Sequence, residues 1–519
     1  MSWKMGALCG LILLGGTARA ANPGDRPVKL LDEAQALTYA HELRLLTQLI
    51  SQQYVRDISE NELMQAALQG LYDAVRQPFP SSLIDDLKNA KTENDRDALL
   101  VASRRKLGND PALEGDKALF ASIQALPAVL DPHCALVKSN DFQIALDNQV
   151  GFGFELDGQS GAPSGRGNMR GSEFGVPHMI PPIPFRIAKI HPGGPAQRAG
   201  LRPGDVVTHI DGKAITANSA EGIFNEIITE PADVPSPKEH FFTILRDGRK
   251  QPFDLTIAKR IYDSEAIFGV RRSADNSWNH WLDETAGIGY IRIGFIDGKT
   301  PSQLADALGQ LRNAKGLILD LRWCPGGYLN PAAEVAATFL EGGKIASMKY
   351  RLPDRQGPNE FNADGFGLRR NRFKDVPMVV LVNGDTSGGG ELIAAALQDN
   401  ERAKVAGQRT LGKASIQTPV YLTNLPQYAF KLTAGTFIRP SGTSLQRYSA
   451  SKSEEDWGVR PDKNFEIPLS HALSQRLKDW HAFYALRPPV SREALPLDDP
   501  ETDPQRHRAM RLLKDLIAK

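Results

Sequence analysis

Between residues 286 and 465, short and largely apolar runs alternate with amphipathic stretches, and this alternation limits the fold most. Gly316–Arg322 and Met378–Val382 read as buried strands. Gly287–Ile293 is a third strand. Leu304, Leu308 and Leu311 mark a helix between the first two, and Glu391–Gln398 is an alanine-rich helix after the last. Strand and helix in alternation give an α/β core.

The remainder of the 519 residues has room for further domains, since about 150 residues per domain suggests roughly three. Hydrophobic residues make up 41% and charged residues 24%, as in a folded protein. The net charge of +1 advertises neither nucleic acid nor an anionic membrane as partner. Residues 1–20 carry Lys4, an apolar run from Gly6 to Gly16, and then Ala18-Arg19-Ala20. A charged start, an apolar middle and a small-x-small site form a signal peptide cleaved after Ala20, with a retained anchor as the alternative. The run is too short to span a bilayer. The mature chain is expected to be periplasmic or secreted, with no integral membrane segment. Cys9 leaves with the leader, and Cys134 and Cys324 make no disulfide framework. Neither CxxC nor HExxH occurs, so no metal and no cofactor is expected.

Residues 27–145 read as a helical N-terminal region: Leu43, Leu46, Ile50 and Tyr54 share one helical face. The charge-rich stretch 77–117 reads as a helical excursion. Asp131-Pro132-His133 forms a turn, with the Asp side chain as cap and His133 as a structural turn residue rather than a catalytic one. Residues 150–260 switch to strands. They hold alternating glycines and aromatics at Gly151-Phe152-Gly153-Phe154, and a Gly/Pro-rich stretch, 158–184, read as a long mobile loop. A short helix follows, Pro195–Ala199, ended by Gly200, and then turns at Pro203-Gly204-Asp205 and Asp211-Gly212. Residues 466–519 read as a charged helical segment with no assignable chemistry.

The stretch around Ala199-Gly200-Leu201 and Gly204-Asp205 closely resembles a PDZ domain. The resemblance implies capture of a peptide C-terminus by strand addition, its carboxylate on the backbone amides of Gly151, Phe152, Gly153 and Phe154. Three motifs carry a second resemblance. They are Gly316–Gly327, ending in Pro325-Gly326-Gly327; Val382–Glu391, followed by Ala394–Asp399; and Gly407–Gln417. Together with Pro440-Ser441-Gly442 and Gly458–Asp462 they resemble the carboxyl-terminal processing, or tail-specific, serine proteases. That likeness implies a multidomain protein with a helical N-terminal region, a PDZ-like β domain and a ClpP/crotonase-like α/β core at 262–465.

The implied chemistry is that of a serine–lysine hydrolase. A serine hydroxyl needs a base, and a lysine becomes one when burial lowers its pKa. In the family the lysine matching Lys413 is the base and the glutamine matching Gln417 orients it. Backbone N–H groups of Gly326 and of Gly388, the residue after the nucleophile, would form the oxyanion hole. The family usually places its serine three residues before the glutamate matching Glu391 and 25 before the lysine, and both offsets land on Gly388. Ser387 stands one residue early. On one reading Ser387 is the nucleophile and the glycine-rich turn absorbs the step. On the other the nucleophile is lost and the protein is an inactive pseudoprotease acting as a PDZ adaptor. A one-residue step on a formed helix turns a side chain by about 100°. Thr386 is a more distant candidate. Gly407–Lys413 also mimics a phosphate-binding loop, but Ala414 stands where a Mg²⁺-binding hydroxyl belongs and Pro419 truncates the helix that should follow. The expected partners are unfolded or tail-exposed polypeptides. Oligomeric state is not legible.

Overall fold

The computed structural model describes residues 31–518 except 140–148, 157–182, 192, 230–235, 263–264, 274–276, 353–358, 367–372, 449–450 and 486–501. The expected signal peptide and most of the Gly/Pro-rich stretch read as a loop lie outside the described residues.

The N-terminal region folds as α1 (Glu33–Gln53), α2 (Glu60–Ala74), α3 (Ser81–Asn89), α4 (Glu93–Leu107) and α5 (Lys117–Ala125). The predicted face holds: Leu43, Leu46, Ile50 and Tyr54 are all buried. Stretch 77–117 is the helical excursion expected, with α4 started by a Thr92/Asp95 capping box. The region is not purely helical. Ala135–Lys138 is a strand that pairs antiparallel with Tyr428–Ile438, nearly 300 residues on. Four residues in such a setting carry no strand signal of their own; the partner supplies it.

The PDZ-like domain builds its sheet from Phe154–Leu156, Phe185–Ile190, Val206–Ile210, Glu239–Leu245 and Phe253–Ala258. The helices α6 (Pro195–Ala199) and α7 (Ala220–Thr229) belong to it. Its apolar core, including Ile187, Val207, Phe242 and Ile257, is its own.

The α/β core centres on parallel strands in the order Ile288–Ile293, Gly316–Asp320, Met378–Val382, Lys404–Gly407. Side chains alternate across a strand, so each strand feeds two cores. Leu317, Leu319, Val380 and Val382 face α8 (Thr300–Gln310), α9 (Leu329–Ala337) and α10 (Gly389–Asp399). Ile318, Val379 and Leu381 face the opposite way, onto Ala509 and Leu513. These belong to α12 (Pro504–Ile517), which follows α11 (His471–Tyr484). The C-terminal segment is therefore the second cover of the sheet. An antiparallel sheet of Ala135–Lys138, Tyr428–Ile438, Lys344–Tyr350 and Glu360–Asn362 flanks it, with Ser415–Tyr421 also paired to Tyr428–Ile438.

Candidate active site

Three turns meet beyond the carboxyl ends of the parallel strands, where an open α/β sheet places its ligands. Trp323–Gly327 follows Gly316–Asp320, Asn383–Gly388 follows Met378–Val382, and Gln408–Lys413 follows Lys404–Gly407.

The Pro325-Gly326-Gly327 turn packs directly on the start of α10. A Cβ on Gly326 would lie 2.7 Å from both Ser387 O and Gly389 N, and one on Gly327 would lie 1.8 Å from Ile296 O. Only glycine permits that approach. The turn's carbonyls are occupied: Cys324 O accepts from Ser387 N at 2.9 Å, and Gly326 O accepts from Ile296 N at 2.9 Å.

The three candidate nucleophile positions are now distinct. Thr386 is buried and its hydroxyl donates to Leu321 O at 2.8 Å, which makes it structural. Ser387 is 5% exposed, and its Oγ donates to Pro325 O at 2.8 Å rather than to Lys413. Gly388 takes φ 54°, ψ −119° at the N-cap of α10, the sharp strand-to-helix turn on which hydrolases mount a nucleophile. The nearest atoms to a Cβ built there are Pro325 O at 3.6 Å and Gly326 Cα at 3.8 Å, so a side chain has room. The N–H of Gly388, the expected oxyanion donor, donates to Glu391 Oε2 at 3.1 Å, closing the helix cap. The first-turn N–H of Gly389 has no partner within its helix. The Gly326 N–H lies against the buried thiol of Cys324.

Glu391 anchors the third turn. Its carboxylate is fully buried and accepts from Thr410 Oγ1, from Gly412 N at 2.7 Å and from Lys413 N at 2.7 Å. Burial pushes its pKa up to about 7 against the pull of those donors. This clamp fixes the backbone of Lys413. The side chain of Lys413 is half-buried, and its pKa is lowered, first by burial and next by the like charge of Lys431. Gln417 donates from Nε2 to Thr433 Oγ1 at 2.7 Å, while its Oε1 is buried with no hydrogen-bond partner.

Sequence reasoning missed the groups that surround the lysine. Lys431, Thr433 and Cys134 are neighbours through the Ala135–Lys138 and Ser415–Tyr421 pairings, and no spacing rule joins them. His133 sits in the expected turn, its N–H donating to Asp131 Oδ1 at 2.8 Å. It also feels the lysine: burial and then the Lys413 charge lower its pKa. Cys134 and Cys324 are both free and buried, and burial pushes their thiols up to about 11 and about 12. These are inert packing cysteines.

In the PDZ-like domain, Gly151 (φ 151°) and Gly153 (φ 81°) flank Phe152 as expected. A Cβ on Gly153 would press on Gly194 Cα at 3.0 Å and on the Pro195 ring. The loop's carbonyls face inward, Phe152 O to Ala196 N and Gly153 O to His191 N. Phe152 and Phe154 pack on Phe242, forming an apolar floor beside the loop. Among the described residues, no group of His, Cys, Asp and Glu is arranged to hold a metal. No described helix is long and apolar enough to cross a membrane.

Residues 287–465 match peptidase family S41, and residues 186–226 match the PDZ domain. The chain is 32% identical over 284 residues to a carboxy-terminal-processing protease of Bartonella bacilliformis, a match covering 53% of this chain and 57% of that protein. It is 31% identical to a carboxyl-terminal-processing protease of Synechocystis, covering 53% and 58%. The chain thus spans little more than half the length of these relatives. Among solved structures it resembles a photosystem II D1 C-terminal processing protease at 22% identity and a TM-score of 0.37, over 79% of this chain and 94% of that one.

Proposed function

We propose, from the match of residues 287–465 to peptidase family S41 and the PDZ match ahead of it, that the chain is a serine endopeptidase of the C-terminal processing type. It takes the ends of unfolded or tail-exposed polypeptides on the Gly151–Phe154 loop and cleaves through Ser387 and Lys413. The leader pattern of residues 1–20 supports work outside the cytoplasm.

The observation that carries the reading is the environment of Lys413. Its side chain is half-buried with its pKa lowered, and Gln417, four residues on, keeps a buried acceptor, Oε1, without a hydrogen-bond partner. Both features cost stability, and a pure binding module has no use for either. A neutral Lys413 accepts the Ser387 proton as Oγ attacks the scissile carbonyl. Gly389 N–H and the Pro325-Gly326-Gly327 turn face the developing oxyanion. The lysine then returns the proton to the leaving amine, and water, activated the same way, releases the acyl group. Ser387 must first exchange its bond to Pro325 O, a step of about 1 kcal/mol.

A second reading rests on Gly388. The nucleophile turn and the Gly389 donor are in register for a side chain at 388, not 387. That favours a scaffold that binds tails without hydrolysis. Cleavage of an unfolded protein by the mature chain, beside Ser387→Ala, Lys413→Ala and Gly388→Ser, separates the two. Loss of activity in both alanine variants supports Ser387 and Lys413. An inert wild type with activity gained by Gly388→Ser overturns it for the binding reading.

A further inference from the structure

We propose that the C-terminal helices α11 and α12 are a positioning element for the glycine turn of the candidate site, with Asp503 and Ser474 as its working contacts. The proposal rests on reading Pro325–Gly327 as a wall of that site.

Arg322 and Trp323 lead into the turn, and each is gripped from the C-terminal segment. The Arg322 guanidinium is fully buried between two carboxylates. Asp320 receives its Nε at 3.0 Å and Nη2 at 2.7 Å. Asp503 receives Nη1 and Nη2, each at 2.9 Å, a bidentate pair from a residue 181 positions away. Asp503 also caps α12 by accepting from Arg506 N at 3.0 Å, so the helix start and the arginine are fixed by one side chain. Gln505 Oε1 adds a third acceptor on Nη1 at 3.1 Å.

Trp323 has φ 58°, a left-handed conformation that a bulky side chain avoids. Strain of this kind persists only where the surroundings enforce it. Here α11 does so. The indole packs with Leu477, Leu469, Leu473 and Trp480, lies 5.4 Å from the His481 ring, and donates from Nε1 to Ser474 Oγ at 3.3 Å. Covering the sheet face needs only the apolar residues of α12, such as Ala509 and Leu513. The ionic and aromatic contacts fall instead on the two residues that aim the turn. Asp503 and Ser474 touch no reacting atom; they act through Arg322 and Trp323.

Hydrogen exchange on the full mature chain tests this, with Asp503→Asn and Ser474→Ala beside wild type. We expect the segment 324–328 to exchange at least tenfold faster in Asp503→Asn and several-fold faster in Ser474→Ala. Strands Ile288–Ile293 and Met378–Val382 should keep wild-type protection. On an unfolded substrate, kcat should fall about tenfold or more with KM within twofold. Unchanged exchange at 324–328 in the folded variants overturns the proposal, as does an equal rise across the strands, which marks a purely structural role. Should Asp503→Asn fail to fold, Ser474→Ala and Trp323→Phe, which keeps an aromatic ring but removes the N–H donor, decide by the same readout. Selective loosening of 324–328 in a chain whose wild type cleaves nothing supports the positioning role and removes only the peptidase reading.

Discussion

Lys413 meets two opposed demands, since the burial that makes it a base also destabilises the fold. Its folded pKa lies below the ordinary 10.5, with burial the largest cause. The unfolded chain therefore binds more protons between the two values. The penalty is full below the folded pKa and vanishes as pH passes 10.5, so stability from this group rises with pH. Lys413→Met should raise Tm at pH 7, by about 2–4 °C for each kcal/mol relieved, and the gain should shrink as pH approaches 10.5. Equal Tm at all pH values would show that the amine is not held against its charge. The same variant should lose at least about 10²-fold in kcat/KM, and the wild-type rate should climb with pH along a limb below 10.5. Thr433 Oγ1 accepts from Gln417 Nε2 at 2.7 Å and also meets the Cys134 thiol at 3.6 Å. Thr433→Val leaves the Gln417 amide without its Nε2 acceptor and free to flip. We expect kcat to drop about tenfold at nearly constant KM, with the pH limb moved; a wild-type profile would show that Thr433 has no part in orienting Gln417. At this scale the sequence was legible where one motif carries its own chemistry, as from Gly412 to Gln417. It was silent on Cys134 and Thr433, whose contact spans 299 positions.

Among the elements, α10 shows how a helix start becomes a joint. Its Glu391 closes the helix cap on Gly388 and, with its remaining acceptor sites, holds the Thr410–Lys413 turn. Glu391→Gln puts an NH₂ among N–H donors, a mismatch of about 1–3 kcal/mol. The folded pKa of Glu391 is raised from 4.5 to about 7. Its share of stability is thus present below 4.5 and lost as pH rises through 7. Thermal unfolding from pH 4 to 8 should show Glu391→Gln with a lower Tm and a flatter pH dependence across that window. A variant curve parallel to wild type would mean the carboxyl does not titrate there. Gly316–Asp320 and Met378–Val382 were readable because burial on both faces leaves an unbroken apolar run. Ala135–Lys138 was not, because its strand identity comes from Tyr428–Ile438. The helices α11 and α12 were readable as helices, but their purpose lay in Asp503 meeting Arg322, a contact with no local signature.

Across the whole molecule, the boundaries drawn on the sequence differ in physical strength. The PDZ-like domain keeps an apolar core of its own, drawn from residues between Leu156 and Ile257. The helical region does not. Its core continues into Val420, Leu422, Leu425, Phe430 and Leu432, on the hairpin that carries Gln417 and Thr433. At about 1.5–3 kcal/mol for each such side chain exposed, removing the helices costs the hairpin about 8–15 kcal/mol, comparable with the whole stability of a domain. The two halves also join by strand pairing, Ala135–Lys138 on Tyr428–Ile438. A chain starting at Gln149 should therefore aggregate or bind a hydrophobic dye, whereas residues 149–262 alone should unfold cooperatively and bind a tail peptide with a free carboxylate. Far-UV circular dichroism and size-exclusion chromatography decide it. A monomeric, cooperatively folded chain from Gln149 onward would mean that the hairpin buries its apolar face without the helices, and that the base turn does not depend on the N-terminal region for its support.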